Sequence, residues 1–280
     1  MAGFIAATHI IAIVSSVVLG ELAFRLSIFA SMPISVLIII FVGTRFRAIN
    51  NMSHECCHST YATSKSANDF FGHIFAIFEL SSFRVVRLEH ATHHQHLGDY
   101  DRDLDFKDLK RFEFHKEITR SSLKKHIKNA ILCRHLREYL FVRLIDKTEP
   151  LWAKCARTLV LIVVFIAFGF YPLSISAFLI APFLTTYRMH KYLTDYIDHG
   201  GLLNERVAMR KTRNFVLKNA VLRYIFFPRT DCYHLVHHLF PFLSVESLPL
   251  THRFLMRTVP AYAAMTHDAD AQIEAWLRLA

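Results

Sequence analysis

Residues 155–187 read CARTLVLIVVFIAFGFYPLSISAFLIAPFLTTY, two apolar blocks that meet at Tyr171-Pro172 and contain Arg157 as their one charge. Each block, 155–171 and 173–187, is at the short end of the roughly 20 residues that an α-helix needs to cross a bilayer. A turn this tight sends the second block back along the first, so the pair reads as a helical hairpin dipping into the membrane. A second such pair lies upstream, residues 4–19 and 27–42, joined across 20–26. Both hairpins open toward the same side, and the basic residues say which. Of 33 Lys and Arg, 19 lie in residues 43–154 and 12 in 188–280, leaving only Arg25 and Arg157 for the hairpins. By the positive-inside tendency the two polar segments and both termini face the cytoplasm. The expected fold is all-α and integral to the membrane, with four transmembrane helices in two hairpins, about 4–42 and 155–187. A cytoplasmic helical cap, 43–154 and 188–280, completes a single domain over 1–280.

Composition agrees. The chain is 53% hydrophobic yet carries 33 basic and 23 acidic side chains. Their segregation along the sequence excludes both a purely soluble protein and a many-span transporter. The net charge of +10 does not call for a nucleic-acid partner, because polyanion binders gather Lys and Arg into a patch without needing long apolar blocks. The expected partner is the lipid bilayer. Five cysteines, odd in number and spaced neither as a disulfide framework nor as a metal knuckle, read as buried small hydrophobes in a reducing compartment. The apolar start at Phe4 follows no basic leader and precedes no small-residue cleavage site, so no cleavable signal is expected. Between the hairpins, residues 68–89 mix apolar and basic side chains in a helical rhythm, the pattern of one helix lying at the membrane surface. The charge-rich stretches 99–108 and 107–128 read as solvated loop or exposed helix.

Eighteen histidines are many for this length, and their spacing matters more than their number. Three clusters stand out: His54 and His58 in HECCH, His90, His93 and His94 in HATHH, and His234, His237 and His238 in HLVHH. On a helix, positions i, i+3 and i+4 share a face, so each cluster is expected to aim its imidazoles at a common point. A neutral imidazole offers one nitrogen lone pair to a transition metal while its other nitrogen is free to be oriented by a neighbour. Eight such ligands exceed the four of a tetrahedral zinc and suit two metals. At this histidine frequency an H-x-x-H-H arises by chance about 0.07 times in such a chain, so two copies are not incidental. His9, His73, His115, His126, His135, His190, His252 and His267 have no partner at ligand spacing and are expected to be non-ligands. His96, two residues past His94, falls on a different helical face and is left out. All three clusters sit on the side toward which the hairpins open, where a metal centre can meet a molecule entering from the bilayer.

These motifs resemble the superfamily of membrane fatty acid desaturases, alkane hydroxylases and related histidine-box di-iron enzymes. The likeness extends past the histidines to Asn68-Asp69 after the first box, the acidic stretch after the second, and HLVHHLFP at 234–241 before Leu248-Pro249. It covers nearly the whole chain. The resemblance implies two iron ions, dioxygen as co-substrate, and electrons from an external ferredoxin, rubredoxin or haem protein, since the chain has no haem or flavin motif of its own. An acidic donor would be steered to the basic cytoplasmic face. The resemblance also implies a ninth ligand just after the fourth span. Residues 195–201, Asp-Tyr-Ile-Asp-His-Gly-Gly, are similar to the N-Y-x-E-H-Y-G of alkane hydroxylases and make His199 that ligand. Asp195 replaces the family's Asn, which implies either a water-mediated role near the metal or a simple helix cap. Asp198 and Glu55 are the carboxylates expected to orient ligand rings.

The expected activity is desaturation of an aliphatic substrate, fatty acyl or lipid-like, because HLVHHLFP looks most like desaturases. Hydroxylation of an aliphatic or small amino-acid-derived substrate is the alternative. A non-enzymatic metal-binding protein or metal transporter is a third reading, against which all nine candidate ligands lie outside the apolar blocks, whereas transporters bind their cargo near the bilayer midplane.

Overall fold

The computed structural model describes residues 2–140, 144 and 146–279. The first hairpin consists of α1 (Ala2–Ala23) and α2 (Ile28–Cys57). With 30 residues, α2 extends about 45 Å, well beyond the ~30 Å hydrocarbon core of a bilayer. Its surroundings change along its length accordingly. Phe29, Met32, Val36 and Leu37 are exposed, whereas most side chains between Val42 and Cys56 are buried in protein. The apolar half is exposed, as a lipid-facing helix would be, and the protein-packed half carries the first histidine box.

Residues 68–89, expected as one surface helix, form parts of two: α3 (Lys65–Phe78) and α4 (Phe83–His96). The break has a local cause. Glu79 turns inward to accept a hydrogen bond from the Tyr187 hydroxyl (2.7 Å), and Leu80 adopts a left-handed φ of 55°. Buried Asn68 anchors the loop before α3, accepting from the N–H groups of Tyr61 and Ala62 (3.0 Å each) and donating to the carbonyls of Ala62 (2.7 Å) and Ser64 (2.8 Å). After α5 (Arg120–Ile131), opened by a Thr119–Ser122 capping box, and the short α6 (Leu136–Tyr139), comes α7 (Leu151–Phe170). Helices α1, α2 and α7 are long and apolar enough to cross a membrane.

The fourth apolar block is helical but not one continuous helix. It comprises α8 (Pro172–Ile175), a π-turn (Ser176–Ile180) and α9 (Ala181–Leu184), followed by α10 (Thr186–His199). Pro182 lacks the N–H that would continue the α-ladder. Just before it the Ala181 N–H reaches five residues back to the Ser176 carbonyl, the widened turn typical of a π-bulge.

The C-terminal part adds α11 (Ala220–Phe226), a 3₁₀ segment (Pro228–Tyr233), α12 (His234–Leu239), α13 (Leu248–Thr258), α14 (Pro260–Ala263) and α15 (Ala269–Arg278). Among the described residues there is no strand, only an isolated bridge between Val216 and Asp268. Two apolar cores result. One gathers Val42, Ile49, Met52, Phe75 and Phe83 around α2 and α3; the other gathers Phe114, Leu235, Val236 and Tyr262. Helix α10 belongs to both, through Tyr187 in the first and Tyr192 and Tyr196 in the second. Its approach to α2 depends on Gly43, where a Cβ would lie 2.1 Å from Thr186 Oγ1 and 2.9 Å from the Tyr187 nitrogen.

Arg157, the lone charge of the second hairpin's first block, is 1% exposed. It donates to both oxygens of Glu149 (2.9 and 2.7 Å), to the Leu144 carbonyl (3.1 Å) and to the Ser81 carbonyl, tying α7 to the α3–α4 connection. Arg157→Ala strands a buried carboxylate, and the expected cost is about 3–5 kcal/mol. A thermal unfolding midpoint in detergent equal to that of the parent protein would contradict this.

Candidate metal centre

His54 and His58 occupy the end of α2, His90, His93 and His94 the last turns of α4, His199 the last residue of α10, and His234, His237 and His238 the body of α12. The structure brings these nine imidazoles together as two groups. His54, His58, His90, His94 and His237 form one and His93, His199, His234 and His238 the other, with the ligand-capable atoms of each group within 4.8 Å of one another.

The rings of one box do not share a single aim, as the spacing alone suggested. At about 100° per residue, positions i and i+4 differ by only about 40°, whereas i+3 is turned about 100° from i+4. In α4, His90 and His94 therefore serve one group while His93 faces the other. In α12 the assignment is reversed: His234 and His238 serve the second group, and His237 crosses to the first. Each H-x-x-H-H motif thus lends one ring to the other's group, which places the groups side by side. The stacked His94 and His238 rings, 4.3 Å between centroids, mark their junction.

The nitrogens face one another through Nε2. In the first group His58 and His90 approach to 2.6 Å, His90 and His94 to 3.0 Å, and His94 and His237 to 3.1 Å. In the second, His199 and His234 lie 3.0 Å apart and His234 and His238 3.1 Å. Their protonation follows from the opposite edge of two rings. His199 Nδ1 faces the Lys211 carbonyl (3.2 Å), and His93 Nδ1 faces Asp103 Oδ2 (3.0 Å). A carbonyl or carboxylate only accepts, so both rings carry hydrogen on Nδ1 and neutral His199 presents a bare lone pair at Nε2. A cluster of inward lone pairs lacks the protons to satisfy its own contacts. The partner that fits is a cation, and the donor set, imidazole nitrogen throughout, suits iron or another first-row transition metal.

Electrostatics favours the neutral, ligating form in every one of these rings except His93. Burial, followed by the repulsion of neighbouring imidazoles, pushes His90, His199, His234, His237 and His238 well below the usual histidine range, and His94 down to about 2. Burial opposes protonation of His93 too, but the hydrogen bond and charge of Asp103 outweigh it and raise that ring.

Asp103 was hidden in the sequence, where its acidic neighbourhood looked like solvated loop. It is fully buried, and its Oδ1 accepts from the Phe106 N–H (3.1 Å) while Oδ2 holds His93. Glu55 does not orient a ring; it takes a bidentate bond from Arg229 (2.8 and 2.7 Å), joining α2 to the segment before α12. Asp198 lies 3.8 Å from His234 Nδ1, too far for a direct hydrogen bond. Asp195 belongs to neither nitrogen group and accepts from the Tyr139 hydroxyl (2.9 Å) and Lys191 (2.8 Å). His96 lies 3.4 Å from Arg102, and His126 stacks on Tyr196 with its Nδ1 2.6 Å from the Tyr192 hydroxyl.

A cavity of about 100 Å³ opens against both groups, touching His54, His90, His93, His199 and His234. Its wall is charged, including the Arg47–Asp231 ion pair (2.7 Å) and the Lys191–Asp195 pair (2.8 Å).

A family model described as fatty acid desaturase matches residues 31–269. The chain is 38% identical over 61 residues to a probable fatty acid desaturase of Sorghum bicolor, covering 22% of this chain and 16% of that protein. It is 34% identical over 64 residues to an sn-1 oleoyl-lipid 12-desaturase of Anabaena variabilis, covering 23% and 18%. The chain thus spans less than a fifth of the length of these two relatives. A longer match, 26% identical over 251 residues, is to dihydrorhizobitoxine desaturase of Bradyrhizobium elkanii, covering 81% of this chain and 69% of that protein.

Because Asp103 fixes the His93 ring, Asp103→Ala is expected to weaken divalent metal binding about 10- to 100-fold. Competition against a chelator measures this, and an unchanged affinity would contradict it.

Proposed function

This chain belongs to the fatty acid desaturase family, and from that premise we propose that it is an integral membrane oxidoreductase that desaturates an aliphatic substrate at a pair of irons. One observation carries the reading: nine buried or half-buried imidazoles converge as adjacent groups of five and four. His54, His58, His90, His94 and His237 would hold one iron, and His93, His199, His234 and His238 the other. Iron with dioxygen and external electrons supplies what no side chain can, an oxidant able to take hydrogen from an unactivated carbon. The two hydrogens taken from adjacent carbons, together with dioxygen, two electrons and two protons, would leave as two waters.

The chain's own residues position that chemistry. Asp103 holds His93, and the Lys211 carbonyl holds His199, each with Nδ1 protonated and Nε2 available. Arg229 and Glu55 clamp the first box to the segment that leads into the third. Asp195, on the cavity wall with Lys191 and within reach of Tyr139, is assigned to the substrate and solvent side of the site and not to direct ligation.

We further propose that 1–280 is one domain with four spans. The broken helix across 172–187 would serve as the fourth, its bulge shielded by packing of Phe178 against Gly20 of α1. Segments 43–154 and 188–280 would form the cap on the cytoplasmic face, consistent with their share of the basic residues. Electrons would come from a separate acidic redox protein; one similar cyanobacterial desaturase carries ferredoxin in its name. The long match to an enzyme named for dihydrorhizobitoxine supports a small, non-lipid substrate as a second reading beside a fatty acyl chain.

His93→Ala, His199→Ala and His237→Ala are each expected to lose activity and bound iron, whereas His96→Ala keeps both. Product formed under ¹⁸O₂ should be an alkene without label; a labelled alcohol would replace desaturation by hydroxylation. Iron retained in full by His237→Ala would remove the third box from the centre.

A further inference from the structure

Arg188 is the first residue beyond the fourth apolar block. It is 3% exposed and lines the cavity that touches both histidine groups. Its guanidinium lies over the rings of Tyr187 (4.3 Å) and Phe183 (4.6 Å), contacts that fix its plane. Among the described residues, its Nε and Nη2 have no hydrogen-bond acceptor. Of the five carboxylates on the same wall, Glu79, Asp195 and Asp231 are committed to other donors, and Asp105 lies 3.8 Å from Lys191. Glu79 accepts from the Tyr187 hydroxyl (2.7 Å), Asp195 from Tyr139 and Lys191, and Asp231 from Arg47 (2.7 Å). A buried guanidinium with an idle edge is costly to maintain. That edge is a planar fork matched to a carboxylate.

The cavity restricts what can bring the carboxylate. At about 100 Å³ it is small beside the roughly 300–1,000 Å³ of pockets that enclose drug-sized ligands. Its wall combines charged, amide, hydroxyl and imidazole side chains with Val86, Phe106 and Tyr187. Arg188 and both histidine groups border this one cavity, so a carboxylate held at Arg188 brings its own first few carbons beside the imidazoles.

We propose that Arg188 binds the free carboxylate of a short aliphatic acid, so that the carbon attacked lies only a few bonds from that carboxylate. Sequence reading overlooked Arg188 because nothing in its neighbours separates it from the other membrane-flanking arginines. The inference deepens the proposed function and rests on the nine histidines being the reaction centre. It favours a small acid, the class to which amino-acid-type substrates belong, over a lipid-esterified chain with no free carboxylate.

The test is calorimetric titration of the full chain, purified in detergent, with iron content measured on every sample. The probes are sodium hexanoate, hexanamide and sodium palmitate. Hexanoate should bind at least tenfold tighter than hexanamide, which has the same length without the charge, and palmitate no tighter than hexanoate. Arg188→Gln should weaken hexanoate binding about ten- to a hundredfold, leave hexanamide binding and iron content unchanged, and Arg188→Lys should recover part of the loss. Equal binding of hexanoate and hexanamide by the parent protein overturns the assignment, even if the Gln variant does not fold. So does undiminished hexanoate binding by Arg188→Gln, and preferential binding of palmitate overturns the short substrate. Hexanoate binding that depends on Arg188 in a chain without iron would instead fail the metal reading and leave this one standing.

Discussion

Inward-facing nitrogen lone pairs repel one another unless something positive sits among them, and this fold gathers nine imidazoles with the nitrogens of each group within 4.8 Å of one another. The contacts of 2.6 to 3.1 Å between Nε2 atoms suit nitrogens that share a cation. Acceptors behind the rings enforce the orientation, most clearly the carboxylate of Asp103 and the carbonyl of Lys211. Behind them the protein supplies rigidity. The groups sit where the two apolar cores meet, and α10 bridges those cores through Tyr187, Tyr192 and Tyr196. The close passage of α2 and α10 at Gly43 sets how the α2 and α10 histidines face one another.

The histidines were legible in the sequence because ligand spacing is a local property of a helix. Their division into five and four was not, since it depends on how α4 and α12 are rotated relative to each other, and that is settled by packing of residues such as Leu235 and Val236. His199 was reached through a family resemblance and not through spacing, as it comes from the end of a helix with no partner nearby in sequence. The hairpin periodicity gave the apolar segments, but not the π-turn before Pro182 or the inward turn of Glu79 that divides α3 from α4. Asp103 illustrates a more general limit. In an acidic run every carboxylate looks solvated, and only the folded chain shows which one is buried.

Charge inside a site beside the membrane bears on the substrate. Lipid-like substrates and lipid-facing helices share one chemistry, and the exposed apolar side chains of α1, α2 and α7 fit it. The cavity at the histidines adds charged groups to that chemistry. Its ion pairs and the unengaged edge of Arg188 set charge beside apolar surface, and on our proposal they would hold the carboxylate end of a substrate while a neighbouring carbon reacts. Within a family whose similar members include enzymes named for acyl lipids and for dihydrorhizobitoxine, such a pocket is a physical means of choosing between them.

The central claim is that the two nitrogen groups form one binuclear iron site. Metal analysis of the purified chain, combined with iron X-ray absorption spectroscopy, tests it most directly. The account predicts two irons per chain, each surrounded mainly by imidazole nitrogen and close enough to show scattering from the other. A single metal per chain, or iron surrounded mainly by carboxylate oxygen, would contradict it.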